Sequence, residues 1–176
     1  MTYYQISDIF TLIPQQFYNI DQAQNALQNI FGIGPAYNVQ SVTLAEHRAV
    51  LCYAIHKDIL ERSSSADSIY PFVYKLICLI EQSNNYNNAI FHYDQDIKLC
   101  HIIICQNKQI KIVNSFKCDN FESAVYFLLL SVKKLDMNPK QTIIRAYSPI
   151  TPNQKALLNK VFNGVEENIL DNSDLI

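Results

Sequence analysis

Residues 89–135 read AIFHYDQDIKLCHIIICQNKQIKIVNSFKCDNFESAVYFLLLSVKKL, and this stretch decides the fold. Its first part holds three runs rich in β-branched and aromatic residues: Ala89 to Asp94, Ile97 to Cys105 and Gln109 to Phe116. The short polar breaks Gln95-Asp96 and Asn107-Lys108 separate them. Strand-length runs joined by tight turns predict an antiparallel meander. A change of period follows. Asp119 stands where an N-cap belongs, with Glu122 three residues on in a capping-box arrangement. Phe121, Ala124, Val125, Leu128, Val132 and Leu135 then recur at helical spacing until Asn138-Pro139 ends the segment.

Working outward, Gln141 to Tyr147 reads as a strand. Thr151-Pro152-Asn153-Gln154 opens a further helix with cap, N1 proline and box partner in place. Gly164 is expected to close it, and Val165 to Leu170 to add a last strand. The order β-β-β-α-β-α is that of the ribonuclease-H/actin-like folds: a mixed α/β sheet in which an antiparallel meander is followed by crossover helices. The helix over residues 120–135 also carries Tyr126, Phe127, Leu129 and Leu130 outside its main stripe. A helix apolar on so much of its circumference is expected to be covered on more than one side. Tyr126, Phe127 and Leu130 are therefore the candidate interaction surface.

The N-terminal half is less regular. A short strand, Ile9 to Ile13, stops at Pro14. A helix is expected over residues 21–31, capped by Asp21 and ended by Gly32. Val39 to Leu44 and Ala49 to Ile55 read as a hairpin, and Lys57 to Arg62 as a helical turn. The loop 63–68 leads to a helix over Ile69 to Glu81, with Pro71 in its first turn. Residues 83–88, SNNYNN, form the best linker candidate. Two lobes are therefore expected: residues 1–85, and residues 86–176 with the βββαβα order.

The run Lys108 to Phe116, followed by Phe121 to Leu129 and ended by Leu135-Asp136-Met137-Asn138-Pro139, resembles the bacterial family catalogued as domain of unknown function 3822, found mainly in Bacteroidetes. Thr11-Leu12-Ile13-Pro14-Gln15-Gln16-Phe17 is similar to a segment near the start of that family. The resemblance implies a two-lobed actin-like ATPase fold without an established activity. It also implies longer members with a leading β-meander, so that residues 1–85 would be an incomplete actin-like subdomain.

Composition narrows the function classes. With 176 residues, 49% of them hydrophobic and 17% charged, the chain can bury a substantial core. A net charge of −2 gives no electrostatic footprint for nucleic acid or an anionic membrane. The N-terminus lacks the basic and apolar regions of a signal peptide, and the longest apolar stretch, Ala124 to Val132, is about half a membrane span. Five cysteines, an odd number without a C-x-x-C pair, read as reduced thiols of a cytoplasmic protein.

The chemistry-bearing residues argue mostly against catalysis. Actin-like ATPases hold phosphates on glycine-containing hairpin turns, whereas this chain has three glycines, Gly32, Gly34 and Gly164. The turn that would do this work is Asp94-Gln95-Asp96-Ile97, which has no glycine and carries two carboxylates. Asp94 and Asp96 are thus the candidate nucleotide-binding residues of an alternative reading, with Mg-ATP as cofactor; no cofactor is expected otherwise. A ribonuclease-H-like metal site would need further acids, and the strand 141–147 supplies none. With a two-residue turn, His92 would lie opposite Leu99 and His101 opposite Ile90. His92, His101 and Cys105 would then share a face with Ile97, Leu99, Ile103 and Ile112, and read as core residues rather than zinc ligands. The expected function is a non-catalytic scaffold or interaction protein, with a protein partner or a second copy, and without nucleic acid or membrane.

Overall fold

The computed structural model describes residues 1–64, 67–81, 87–107, 109–170, 173 and 175. The chain forms two compact units, Met1–Lys75 with Asp174–Ile176, and Leu76–Ser173. The expected boundary at residue 85, residues 83–86 of the linker, Ser65 and Ala66 of the loop, and Lys108 lie outside the described residues.

In the first unit, β1 (Thr2–Gln5) pairs in parallel with β5 (Ser68–Pro71). A separate antiparallel sheet is ordered β2 (Phe10–Pro14), β4 (Ala49–His56), β3 (Tyr37–Leu44). The helix α1 (Ile20–Phe31) packs Ala23 and Leu27 on Val50, Cys52 and Ala54 of that sheet. Its N-cap is Asn19, whose side chain accepts from the Gln22 amide at 2.8 Å, and not the expected Asp21. Gly32 ends it in the left-handed region at φ 65°, with its amide donated to the Gln28 carbonyl. The helix α2 (Lys57–Arg62) precedes β5. Pro71 closes that strand and does not open the following helix, so α3 starts at Phe72 (Phe72–Glu81). Proline fits a strand end because no ladder amide is required of it there.

The second unit holds β6 (Asn87–Asp94), β7 (Leu99–Gln106), β8 (Gln109–Lys117), α4 (Phe121–Lys134), β9 (Ile143–Ala146), α5 (Pro152–Val161) and β10 (Gly164–Glu167). Its sheet is ordered β10-β9-β6-β7-β8. The meander β6-β7-β8 is antiparallel, while β9 joins β6, and β10 joins β9, in parallel. This is the ribonuclease-H/actin-like arrangement expected from the sequence. One face of the sheet presents Phe91, Tyr93, Cys100, Ile102, Ile104 and Ile144 to α4 and α5, which contribute Phe121, Val125, Leu128 and Leu158 among others. The other face buries Ile90, His92, His101 and Ile103. Burial on both faces explains why β7 reads as a continuous apolar run without alternation.

Local details differ from expectation where side-chain hydrogen bonds decide. Asn120, not Asp119, caps α4, accepting from the Ser123 amide at 2.8 Å. The Thr151–Gln154 capping box of α5 is present. Gly164 begins β10, and Phe162 is the C-cap of α5. The β6–β7 turn spans four residues, because Asp94 lies opposite Leu99; His92 accordingly faces His101 directly.

Candidate functional site

The β6–β7 turn carries Asp94 and Asp96, the expected nucleotide-binding candidates, so the state of its amides is informative. Asp94 Oδ1 accepts from the backbone amides of Asp96, at 2.9 Å, and Ile97, at 3.1 Å. These are the donors that a phosphate would take, and the chain already gives them to its own carboxylate. Asp96 is exposed and adds a second negative charge to the turn. Asp94 and Asp96 are brought together, in an arrangement that closes the turn with internal bonds.

Behind the turn, His92 and His101 form a buried cross-strand pair with ring centroids 5.7 Å apart. His101 Nδ1 and Ser115 Oγ on β8 are hydrogen-bonded at 2.5 Å. Burial depresses both imidazoles. His92 falls to about 4 despite the favourable field of Asp94, and His101 falls to about 3, with His92 adding to the depression. Both rings are neutral at neutral pH. Among the described residues, no three His, Cys, Asp or Glu side chains group as a metal site. Ile112 packs on the opposite side of the sheet, with the α4 core, because a bulge between Ile104 and Cys105 shifts the register of β8.

Four of the five thiols are shielded in the same way. Cys100 and Cys118 approach with their sulfurs 3.4 Å apart in the core under α4, and burial raises both above the usual thiol range. Burial likewise pushes Cys52 up to about 11. Cys78 alone of the five is not buried. In native protein at pH 7.5, a disulfide reagent such as DTNB is therefore expected to modify no more than this one thiol within minutes. Rapid reaction of two or more thiols would show that the core opens readily.

The outer side of α4 is different. Its buried stripe, Phe121, Ala124, Val125, Leu128, Ser131 and Val132, faces the sheet. Tyr126 and Leu130, one turn apart and so on one face, are 60% and 38% exposed. Phe127 stacks on Phe116 of the edge strand β8, with centroids 4.4 Å apart and planes within 5°. Tyr126 meets Phe127 edge-on at 5.7 Å. The three expected surface residues thus lie on one helix beside an edge strand: two exposed outright, the third anchored by its stack. No local sequence signal marks Phe116 as their partner, since its place depends on the register of β8.

A family model described as a protein of unknown function, DUF3822, matches residues 5–162. Among solved structures, the chain is similar to a protein of Bacteroides thetaiotaomicron VPI-5482 described as having an actin-like ATPase fold and unknown function. The TM-score is 0.79 at 18% identity, covering 95% of this chain and 67% of the other. It also aligns with a chain of the PilM–PilN type IV pilus biogenesis complex, with a TM-score of 0.48 and 10% identity, over 90% of this chain and 65% of that one. No curated protein matches the sequence. Among the described residues, no helix is long and apolar enough to cross a membrane.

Proposed function

We propose that this chain, which belongs to the DUF3822 family, is a non-catalytic interaction protein on an actin-like fold that docks a protein partner, or a second copy of itself, on the outer face of α4. The exposed pair Tyr126 and Leu130, backed by the Phe127–Phe116 stack, carries this reading. Aromatic side chains with little rotamer freedom, set in a semi-rigid surface, are the groups that dominate protein interfaces. The free thiols suit a reduced compartment, and we place the protein in the cytoplasm.

The alternative is a degenerate nucleotide binder that uses the Asp94–Asp96 turn. The internal bonds from Asp94 to the Asp96 and Ile97 amides weigh against it. Two measurements separate the readings. Sedimentation velocity over a wide concentration range is expected to show self-association that Tyr126→Glu or Leu130→Glu weakens by about 30-fold or more. The melting temperature should change little, since both side chains are already exposed. A strictly monomeric wild-type chain would remove the second copy as partner. Mg-ATP is expected to leave the melting temperature unchanged, and a saturable rise would favour the nucleotide reading.

A further inference from the structure

Two of the shielded thiols touch each other. Cys100 lies in β7 and Cys118 stands one residue past the end of β8, and their sulfurs are 3.4 Å apart. The strand pairing explains the meeting. Cys100 is opposite Phe116, and Cys118 prolongs the same ladder by donating its amide to the Lys98 carbonyl at 2.8 Å. The two cysteines are therefore diagonal neighbours on the face that packs under α4. A diagonal brings two short side chains into contact only when they lean toward each other, as this contact requires. Their access to solvent differs. Cys100 is fully buried, whereas Cys118 lies between Lys117 and Asp119, both exposed, where the chain leaves β8 for the N-cap of α4.

We infer that Cys100 and Cys118 are a latent disulfide, closed when the protein meets a hydroperoxide, with Cys118 oxidised first and Cys100 completing the bond. The sulfurs have to approach from 3.4 Å to about 2.05 Å. Cys118 is the better placed to move, because it lies beyond the last residue of β8 and its carbonyl is held by one long bond, from the Tyr93 hydroxyl at 3.5 Å. It is also the better nucleophile of the pair. Burial raises both thiols, but the contact between them opposes that rise at Cys118 and adds to it at Cys100. In the first step the Cys118 thiolate attacks one peroxide oxygen. An S–O bond forms, the O–O bond breaks, and the departing hydroxide takes up the thiol proton as water. In the second step the Cys100 sulfur attacks the Cys118 sulfenic acid. The S–S bond forms, the S–O bond breaks, and the leaving hydroxide takes the Cys100 proton as a second water. Two thiols are oxidised and one peroxide is reduced. The product ties the middle of the sheet to the root of α4.

The test uses the full reduced chain with Cys78→Ser, which removes the one thiol that is not buried. After treatment with hydrogen peroxide, the remaining thiols are alkylated in denaturant and the peptides are analysed by mass spectrometry. The expected product is lighter than the reduced chain by two hydrogens, has two fewer alkylated cysteines, and yields a peptide linking Cys100 to Cys118. Formation should be at least about tenfold faster in the folded chain than in urea, where the sulfurs are not held together. In a Cys100→Ser chain the sulfenic acid has no partner, and dimedone should label Cys118. In a Cys118→Ser chain, labelling of Cys100 should be at least about tenfold weaker. A folded chain that keeps both thiols alkylatable under peroxide would overturn the inference, as would a disulfide formed no faster folded than unfolded. Equal dimedone labelling in the two variants would overturn the assignment of Cys118 as the first thiol oxidised.

Discussion

Phe91→Ala is expected to lower the unfolding free energy by about 3–5 kcal/mol, the largest effect of any single truncation considered for this fold. Phe91 is fully buried at the centre of β6, the middle strand of the five-stranded sheet. Its neighbours across the two ladders are Ile102 of β7 and Ala146 of β9. Its ring meets Phe121 of α4 edge-on, with centroids 5.7 Å apart and planes at 84°, and its carbonyl accepts from the Tyr147 amide at 2.9 Å. The backbone bonds hold the strands in place after truncation, so the cavity cannot collapse by strand movement, which puts the cost at the high end of the range. Phe127→Ala is the contrast: a half-buried ring stacked on Phe116 at the surface, for which about 1 kcal/mol is expected. Urea titrations give both numbers from the shift in midpoint at constant slope. A Phe91→Ala chain losing under 1 kcal/mol would contradict the packing described for β6 and α4.

The parts of this fold that sequence reveals are those fixed by local physics. The capping box at Thr151 and Gln154, the left-handed Gly32 and the change of period after Phe116 each depend on a few neighbouring residues. The parts it hides depend on pairing between distant segments. β1 and β5 are four residues each, paired across 66 positions, too short for a period to show. The two turns of the meander teach a finer point. Reading the β6–β7 turn as two residues misplaces the register by two, which preserves the face of every side chain, so His92 and His101 keep their face although their partners change. The bulge at Ile104/Cys105 shifts the next pairing by one, and this moves Ile112 to the other side of the sheet. At the candidate site, the apolar excess of α4 is legible in Tyr126, Phe127 and Leu130. A sequence does not distinguish an apolar position that faces the core from one that faces a partner, and for that the exposures of Tyr126 and Leu130 are needed.

The second large effect is on acid stability. His92 and His101 have folded values lowered to about 4 and about 3, against about 6.5 for an unfolded histidine. Below pH 6.5 the unfolded chain therefore takes up protons that the folded chain excludes, so stability falls as pH falls. The contribution of neutral burial is fully present above pH 6.5 and is lost as pH descends towards the folded values. Each histidine gives a limiting slope of about 1.4 kcal/mol per pH unit. From pH 7 to pH 5 the pair should cost about 3–4 kcal/mol, before most carboxylates titrate. Two neighbours modulate this: Asp94 favours the charged form of His92, while Ser115 holds His101 Nδ1 in a hydrogen bond. His101→Asn keeps a polar group for Ser115 and removes one titration. Its stability should therefore fall by only about half as much between pH 7 and pH 5, a difference that urea midpoints at the two values resolve. If the wild-type free energy changes by less than about 1 kcal/mol over that interval, the folded protein must accept protons on these rings, which water reaching the pair between β6 and β7 would allow.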